Sequence, residues 1–287
     1  MNRIDKRNTD QLREIVVIYE GLDRVDGSAR FAFGDTESIV SVSGPVEVRP
    51  ALENPSQATL DIYIRPLASL PGIDAKSIGT TLKAILTPAL LLSQHPRTLV
   101  QLVGQALCGS ETGSGTGSAG RGWNDTLIST LVNASSAAFV NASSVPMKGV
   151  IASVAIGRIT NPETDVPTLV LDPSEAELPS LTASGCFAFL FSSTLSSVSK
   201  SRYDDVPPCS LLWTNYSSSD KSFDEGEFAA ARALAERGVT EVWRKIKDSI
   251  VTMEKKSNSD GSRPPIKQED SKMKSENDSD DDAKMEI

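Results

Sequence analysis

Apolar runs with a period of two come ahead of stretches with helical period in each half of this chain, and that order restricts the fold more than any other feature. Residues 15–20 (IVVIYE), 29–33 (ARFAF) and 38–43 (SIVSVS) read as strands, with Asp26-Gly27 and Gly34-Asp35-Thr36 as the turns between them. Residues 58–66 (ATLDIYIRP) place Leu60, Ile62 and Ile64 on one face and close on Pro66. From 74 to 93 the spacing becomes helical, with Ile78, Leu82, Ile85, Ala89 and Leu92 in one stripe and Pro88 set to break it. Residues 97–107 return to strand, and 123–140 form a second helix with Leu127, Leu131, Ala134 and Ala138 on its inner face.

The second half repeats the scheme with strands at 149–157, 168–172, 185–191 and 209–215. A long helix follows from about Phe223 to Met253, with Phe228, Ala231, Ala235, Val239, Val242, Ile246 and Ile250 as its stripe. Asp224, Glu225 and Glu227 open it, and Arg244, Lys245 and Lys247 lie in its later turns, an order that suits the helix dipole. Sheets with helices laid against them, in both halves, define an α+β protein. The expected division is 1–144, carrying a Gly/Ser loop at 109–122, then 145–253, then a disordered charged tail at 254–287.

Charge limits function. The 287 residues carry a formal net charge of −9, so nucleic acid could be held only by a local basic patch. One histidine, His95, and three scattered cysteines argue against a disulfide framework, a structural zinc site and a histidine-based hydrolase. No cofactor is expected. The polar start, Met1 to Asp10, has no apolar leader, and no run is long enough to span a membrane.

Several local patterns invite a chemical reading. GTGSAG at 115–120 fits a dinucleotide-loop spacing, but no Asp or Glu occurs between Thr126 and Pro162 to bind a ribose, so it reads as a flexible loop. His95 sits at a helix-to-strand corner and reads as a turn residue. Arg65 and Lys76 flank a Pro/Gly loop, as solvated cations or as a pair facing an RNA phosphate. Asp172, Glu175 and Glu177 follow a strand, as a plain acidic loop or as Mg²⁺ ligands. In the tail, IKQE at 266–269 fits the acceptor pattern of a ubiquitin-like modifier, and Ser279 precedes three aspartates, as acidophilic kinases prefer.

The block DGSARFAFGDTESIVSVSGPVEV at 26–48 resembles the opening of the ribonuclease PH family. ATLDIYIRP, HPRT, VPMKGVIASVAIG and LVLDPSEAE continue the likeness and resemble the eukaryotic exosome branch of that family. The resemblance implies the ribonuclease PH fold: two βαβα-like halves with mixed sheets and a long C-terminal helix. It implies a hetero-hexameric ring with other such subunits, RNA-binding cap subunits and threaded RNA as partners, in nucleus, nucleolus and cytoplasm.

Active members carry out phosphorolysis with a phosphate-binding Arg at the start of the second helix and paired aspartates near the strand ending at Asp172. Here the Arg position falls on Asn124, beside Asp125, and the second aspartate falls within Leu178-Pro179-Ser180-Leu181, which has no carboxylate. The resemblance therefore implies a subunit with no catalytic residue. The alternative is an active phosphate-dependent 3′-to-5′ exoribonuclease in which Arg121 serves as the phosphate ligand. Outside the family, an unrelated acidic α+β binding protein would be betrayed by a different fold.

Overall fold

A computed structural model describes residues 3, 5–67, 71–108, 124–160, 167–194, 205–218 and 222–260, with side chains of the last helix described to Lys255. Its first half builds a five-stranded sheet from β1 (Ile15–Ile18), β2 (Gly27–Phe33), β3 (Thr36–Glu47), β4 (Thr59–Arg65) and β5 (Thr98–Cys108). The order is β1-β2-β3-β5-β4. Strands β4 and β5 pair in parallel and the other neighbours antiparallel. The parallel pair needs a crossover, and helix α1 (Ile73–Leu86) supplies it. As the sequence predicts, the helix stops before Pro88, and Ala89 and Leu92 are buried beyond its end.

The second sheet comprises β6 (Val150–Thr160), β7 (Pro167–Leu171), β8 (Leu181–Phe191), β9 (Cys209–Thr214) and β10 (Ser217–Ser218). Its order is β10-β8-β6-β7, with β9 also on β8, and every pair is antiparallel. Mixed pairing is thus confined to the first sheet. In the second half no α-helix joins one described strand to the next, so no parallel crossover forms there.

Helix α2 (Asp125–Ala142) lies between the sheets, touching β2, β3 and β5 on one side and β6 and β8 on the other. Leu127, Leu131, Ala134 and Ala138 are fully buried as expected, but so is the opposite face: every residue from Thr126 to Phe139 is buried. A charge-free run rich in Ala, Ser and Thr makes this possible, because such residues leave no charge to solvate. Two of the polar ones find partners in the neighbouring strand, and Thr130 and Ser135 bond back to their own helix. Asn133 donates from Nδ2 to the Ser153 carbonyl (2.9 Å) and accepts from the Ser153 N–H (2.8 Å), and Ser136 Oγ accepts from the Ile151 N–H (3.0 Å). Gly27 meets the far end of the helix so closely that a Cβ would lie 2.4 Å from the Ala142 nitrogen.

Helix α3 (Glu225–Asp260) shares this middle layer, packing on β6, β7 and β8 and on β1 of the other sheet. Its predicted stripe is the buried one, with Ala231, Ala235, Val239, Val242 and Ile246 at 1% exposure or less. It runs seven residues past Met253, as the helix formers Glu254, Lys255 and Lys256 permit. Arg158 of β6 holds its first turn, donating from Nη1 to both Glu227 carboxylate oxygens (3.1 and 2.9 Å).

Candidate functional site

The amino end of α2 meets the turn after β7, where Thr126 donates from Oγ1 to the Pro173 carbonyl (3.3 Å). Asp172 opens that turn in the left-handed region (φ 49°), a conformation that Asp tolerates better than most residues. A short 3₁₀ helix, Glu175–Ser180, follows, started by a capping box between Ser174 and Glu177.

Two of the three carboxylates that read as a plain acidic loop or as Mg²⁺ ligands are buried. Asp172 is 1% exposed and Glu177 2%. Arg13 clamps Asp172 with two side-chain bonds, Nε to Oδ2 (2.9 Å) and Nη2 to Oδ1 (2.7 Å), and its own backbone N–H adds a third (2.9 Å). Arg3 clamps Glu177 in the same manner, Nε to Oε1 (2.8 Å) and Nη2 to Oε2 (2.7 Å), and donates to the Leu171 and Asp172 carbonyls. Arg7 completes the set at 3.6 Å from Asp172. The Arg3 guanidinium holds the Glu177 carboxyl below its ordinary pKa against the opposing effect of burial. Paired guanidinium groups engage both oxygens of each acid, so Asp172 and Glu177 do not fit a divalent cation. Glu175 is exposed at the start of the 3₁₀ turn, away from this burial. Among the described residues no cluster of three or more His, Cys, Asp or Glu could hold a metal.

Sequence reasoning missed the arm that does this. Residues 3–13 read only as polar, yet three arginines spaced four and six apart carry the signal. Leu178 and Leu181, in the stretch where the resemblance leads one to seek a second aspartate, pack with Ile159 and Val170 in a small apolar cluster.

At the helix end itself, Asn124 is the N-cap, its Oδ1 accepting from the Thr126 N–H (3.0 Å). Asp125 accepts from Ser184 Oγ at Oδ2 (2.6 Å) and from Asn215 Nδ2 at Oδ1 (2.8 Å). Burial pushes the Asp125 pKa up, and those two hydrogen bonds oppose the rise. Cys186, close by, is pushed well up by burial and by the Asp125 charge. The Asp125 carboxylate is thus committed to two side-chain donors, Ser184 and Asn215. Nothing in the local sequence marks Ser184 or Asn215, because each lies beyond the loops that bring it here.

Arg65 and Lys76 are both exposed, and neither forms an ion pair among the described residues. Arg65 ends β4 on the outward face it shares with Tyr63, which is 52% exposed. Lys76 lies in the first turn of α1, whose Gly72 cap offers no side chain to the helix end. His95 is a turn residue, as read: its N–H donates to Leu92 (3.2 Å) and its carbonyl accepts from Thr98 Oγ1 (2.7 Å). Arg121, the 109–122 loop with its GTGSAG, and the tail positions Lys267 and Ser279 lie outside the described residues.

Residues 11–144 match the 3′ exoribonuclease family, domain 1. The chain is 31% identical over 176 residues to the exosome complex exonuclease RRP46 homolog of Oryza sativa subsp. japonica (61% of this chain, 66% of the relative). It is 32% identical over 157 residues to the exosome complex component RRP46 of Saccharomyces cerevisiae (55% and 65%). These alignments span just under two thirds of both relatives. The exosome complex component Rrp41 of Archaeoglobus fulgidus is 29% identical over 262 residues (87% and 86%). Among solved structures, rice Rrp46 superposes with a TM-score of 0.64 at 26% identity, covering 88% of this chain and 99% of that one. A chain of the A. fulgidus exosome with RNA bound to the active site shares the fold, with a TM-score of 0.61 at 17% identity.

Proposed function

We propose that this chain is a member of the ribonuclease PH family and a non-catalytic structural subunit of an RNA exosome core ring, of the ribosomal RNA-processing protein 46 type, supported by the match of residues 11–144 to the 3′ exoribonuclease family, domain 1, and by the RRP46 relatives. Its task is to support 3′-to-5′ RNA processing and degradation by partner nucleases. Its partners are other ribonuclease PH-like subunits in a six-membered ring, RNA-binding cap subunits and RNA, in nucleus, nucleolus and cytoplasm. Arg65 and Lys76, exposed and outside any ion pair among the described residues, are the cations that touch the RNA backbone.

One observation carries the non-catalytic reading. The acidic turn beside α2 spends its buried carboxylates on Arg3 and Arg13, and the helix end where an attacking anion would be held already faces a carboxylate of the chain, Asp125. Phosphorolysis needs positive charge at that point and free carboxylates for a cation.

The test is co-expression with candidate ring subunits followed by native mass spectrometry. A stoichiometric hetero-oligomer containing one copy of this chain per pseudo-threefold set is expected. A chain that remains monomeric or only self-associates in their presence refutes the proposal. The second reading, an active phosphate-dependent 3′-to-5′ exoribonuclease using Arg121, draws support from the 29% identity with archaeal Rrp41 over most of the chain.

A further inference from the structure

Arg65 closes a row of side chains on the outward face of the first sheet. Strand register aligns Ile18 of β1, Arg30 of β2, Ile39 of β3, Gln105 of β5 and Arg65 of β4 in that row. All five are half-buried or exposed, whereas the inward neighbours Phe31, Val40 and Ile64 are buried. Arg30 is already bound to Glu20 and Glu37. Arg65 forms no ion pair among the described residues, and neither does exposed Lys76 in the first turn of α1. Asp61, the only carboxylate of β4, is engaged by the Tyr63 hydroxyl, whose pKa it raises.

The chain carries an anion of its own that suits these cations. Between Lys274 and Lys284 lie Glu276, Asp278, Asp280, Asp281 and Asp282, with no Lys or Arg among them. The run follows the described residues, which close with α3 at Asp260. Helix α3 passes the first sheet at the β1 end of the same row, because Tyr19, next to Ile18, shares a hydrogen bond with Ser249 Oγ (3.0 Å). From Ser249 the helix continues to Asp260, about 16 Å at the helical rise. From β1 across the sheet to β4 is about 19 Å at ordinary strand spacing. Positions 261–276 span up to about 53–58 Å, so the acidic run reaches Arg65 with length to spare. An exposed ion pair is weak alone, but tethering holds the run at an effective concentration of roughly millimolar, which populates a weak contact.

We propose that the acidic run Glu276–Asp282 docks within its own chain on Arg65 and Lys76 and competes there with the RNA backbone. The inference rests on the reading of Arg65 and Lys76 as RNA contacts and adds a regulator to it. RNA gains these two cations only by displacing the chain's own polyanion.

The full chain is treated with a zero-length carbodiimide at low ionic strength, where attraction between exposed charges is least screened. Peptide mass spectrometry reads the amide bonds formed between lysines and the carboxylates of 276–282. Lys76 should give more product than Lys245, an exposed lysine of α3 that an undocked run would meet at least as often. The yield should not change on dilution, and a short oligouridylate should suppress it. In parallel, binding of labelled oligouridylate is compared between wild type and a variant carrying Glu276→Gln, Asp278→Asn, Asp280→Asn, Asp281→Asn and Asp282→Asn. Affinity should rise about threefold, as the loss of a pair of exposed ion contacts allows. The gain should vanish in an Arg65→Gln/Lys76→Gln background. A Lys76 yield no higher than that of Lys245 overturns the proposal. So does a gain that persists in that background, since general loss of negative charge then accounts for it. The RNA reading fails by a different result: in the chain with the neutralised run, Arg65→Gln/Lys76→Gln would leave oligouridylate affinity unchanged. An undocked run alone leaves that reading standing.

Discussion

Arg13→Ala probes the clamp beside α2 most sharply. The substitution removes two charge-assisted hydrogen bonds, at 2.9 and 2.7 Å, from a carboxylate that is 1% exposed, and a third bond to Thr36 Oγ1 (3.1 Å). The Arg13 guanidinium is itself buried, with 10% side-chain exposure, so water cannot take its place cheaply. Removing one partner of a buried ion pair costs about 3–5 kcal/mol, because the other charge is left behind without compensation. Asp172 would keep the backbone N–H of residue 13 and Arg7 at 3.6 Å, which argues for the lower end, about 3 kcal/mol. For a domain of this size roughly 2–4 °C of melting temperature accompany each kcal/mol, so a fall of about 6–12 °C is expected. Differential scanning calorimetry of wild type, Arg13→Ala, Asp172→Asn and the double variant closes a mutant cycle. The double variant should cost clearly less than the sum of the two singles. A loss below about 1 kcal/mol for Arg13→Ala, or strict additivity, would mean that the pair behaves like a solvated surface bridge, and the reasoning would fail.

Three further outcomes follow from the same geometry. Glu177 has a folded pKa below its ordinary 4.5, so its pairing with Arg3 contributes fully above that pH and is lost as pH falls through the depressed value; Glu177→Gln should be less stable than wild type at pH 7, with the gap closing on acidification in urea melts. In native protein, iodoacetamide should modify exposed Cys108 first, while Cys209, its thiol raised to about 11 mainly by burial, reacts slowly and buried Cys186 waits for unfolding; peptide mass mapping over time reads the order. In the assembled ring, Arg65→Glu/Lys76→Glu should lower RNA crosslinking to this subunit severalfold without changing assembly, and unchanged crosslinking would remove both residues from the RNA path.

Periodicity made most of the scaffold legible. Leu60 and Ile64 of β4 and the α3 stripe from Ala231 to Ile246 are buried as their spacing requires, since a strand or helix with one apolar face has one way to turn. The same logic understated α2. A stripe of Leu127, Leu131, Ala134 and Ala138 suggests one buried side, and only the second sheet explains why Ser129, Asn133 and Ser136 are buried too. Their small size and lack of charge permitted double burial without announcing it. The candidate site was legible only as an expectation: no carboxylate at 178–181, and Asp125 beside the position where the resemblance puts a phosphate ligand. It was hidden in its replacements, because Arg3–Glu177 and Asp125–Asn215 join residues 174 and 90 positions apart and no local pattern encodes such pairs.

Incubating the purified wild-type chain with short RNA and inorganic phosphate, and measuring nucleoside diphosphate by chromatography, reaches the core of the account. On the proposed non-catalytic reading, with Asp125 at the helix end and the buried carboxylates Asp172 and Glu177 held by Arg13 and Arg3, diphosphate should stay at the level of a protein-free control. Sustained diphosphate release that disappears in Arg121→Ala would contradict it.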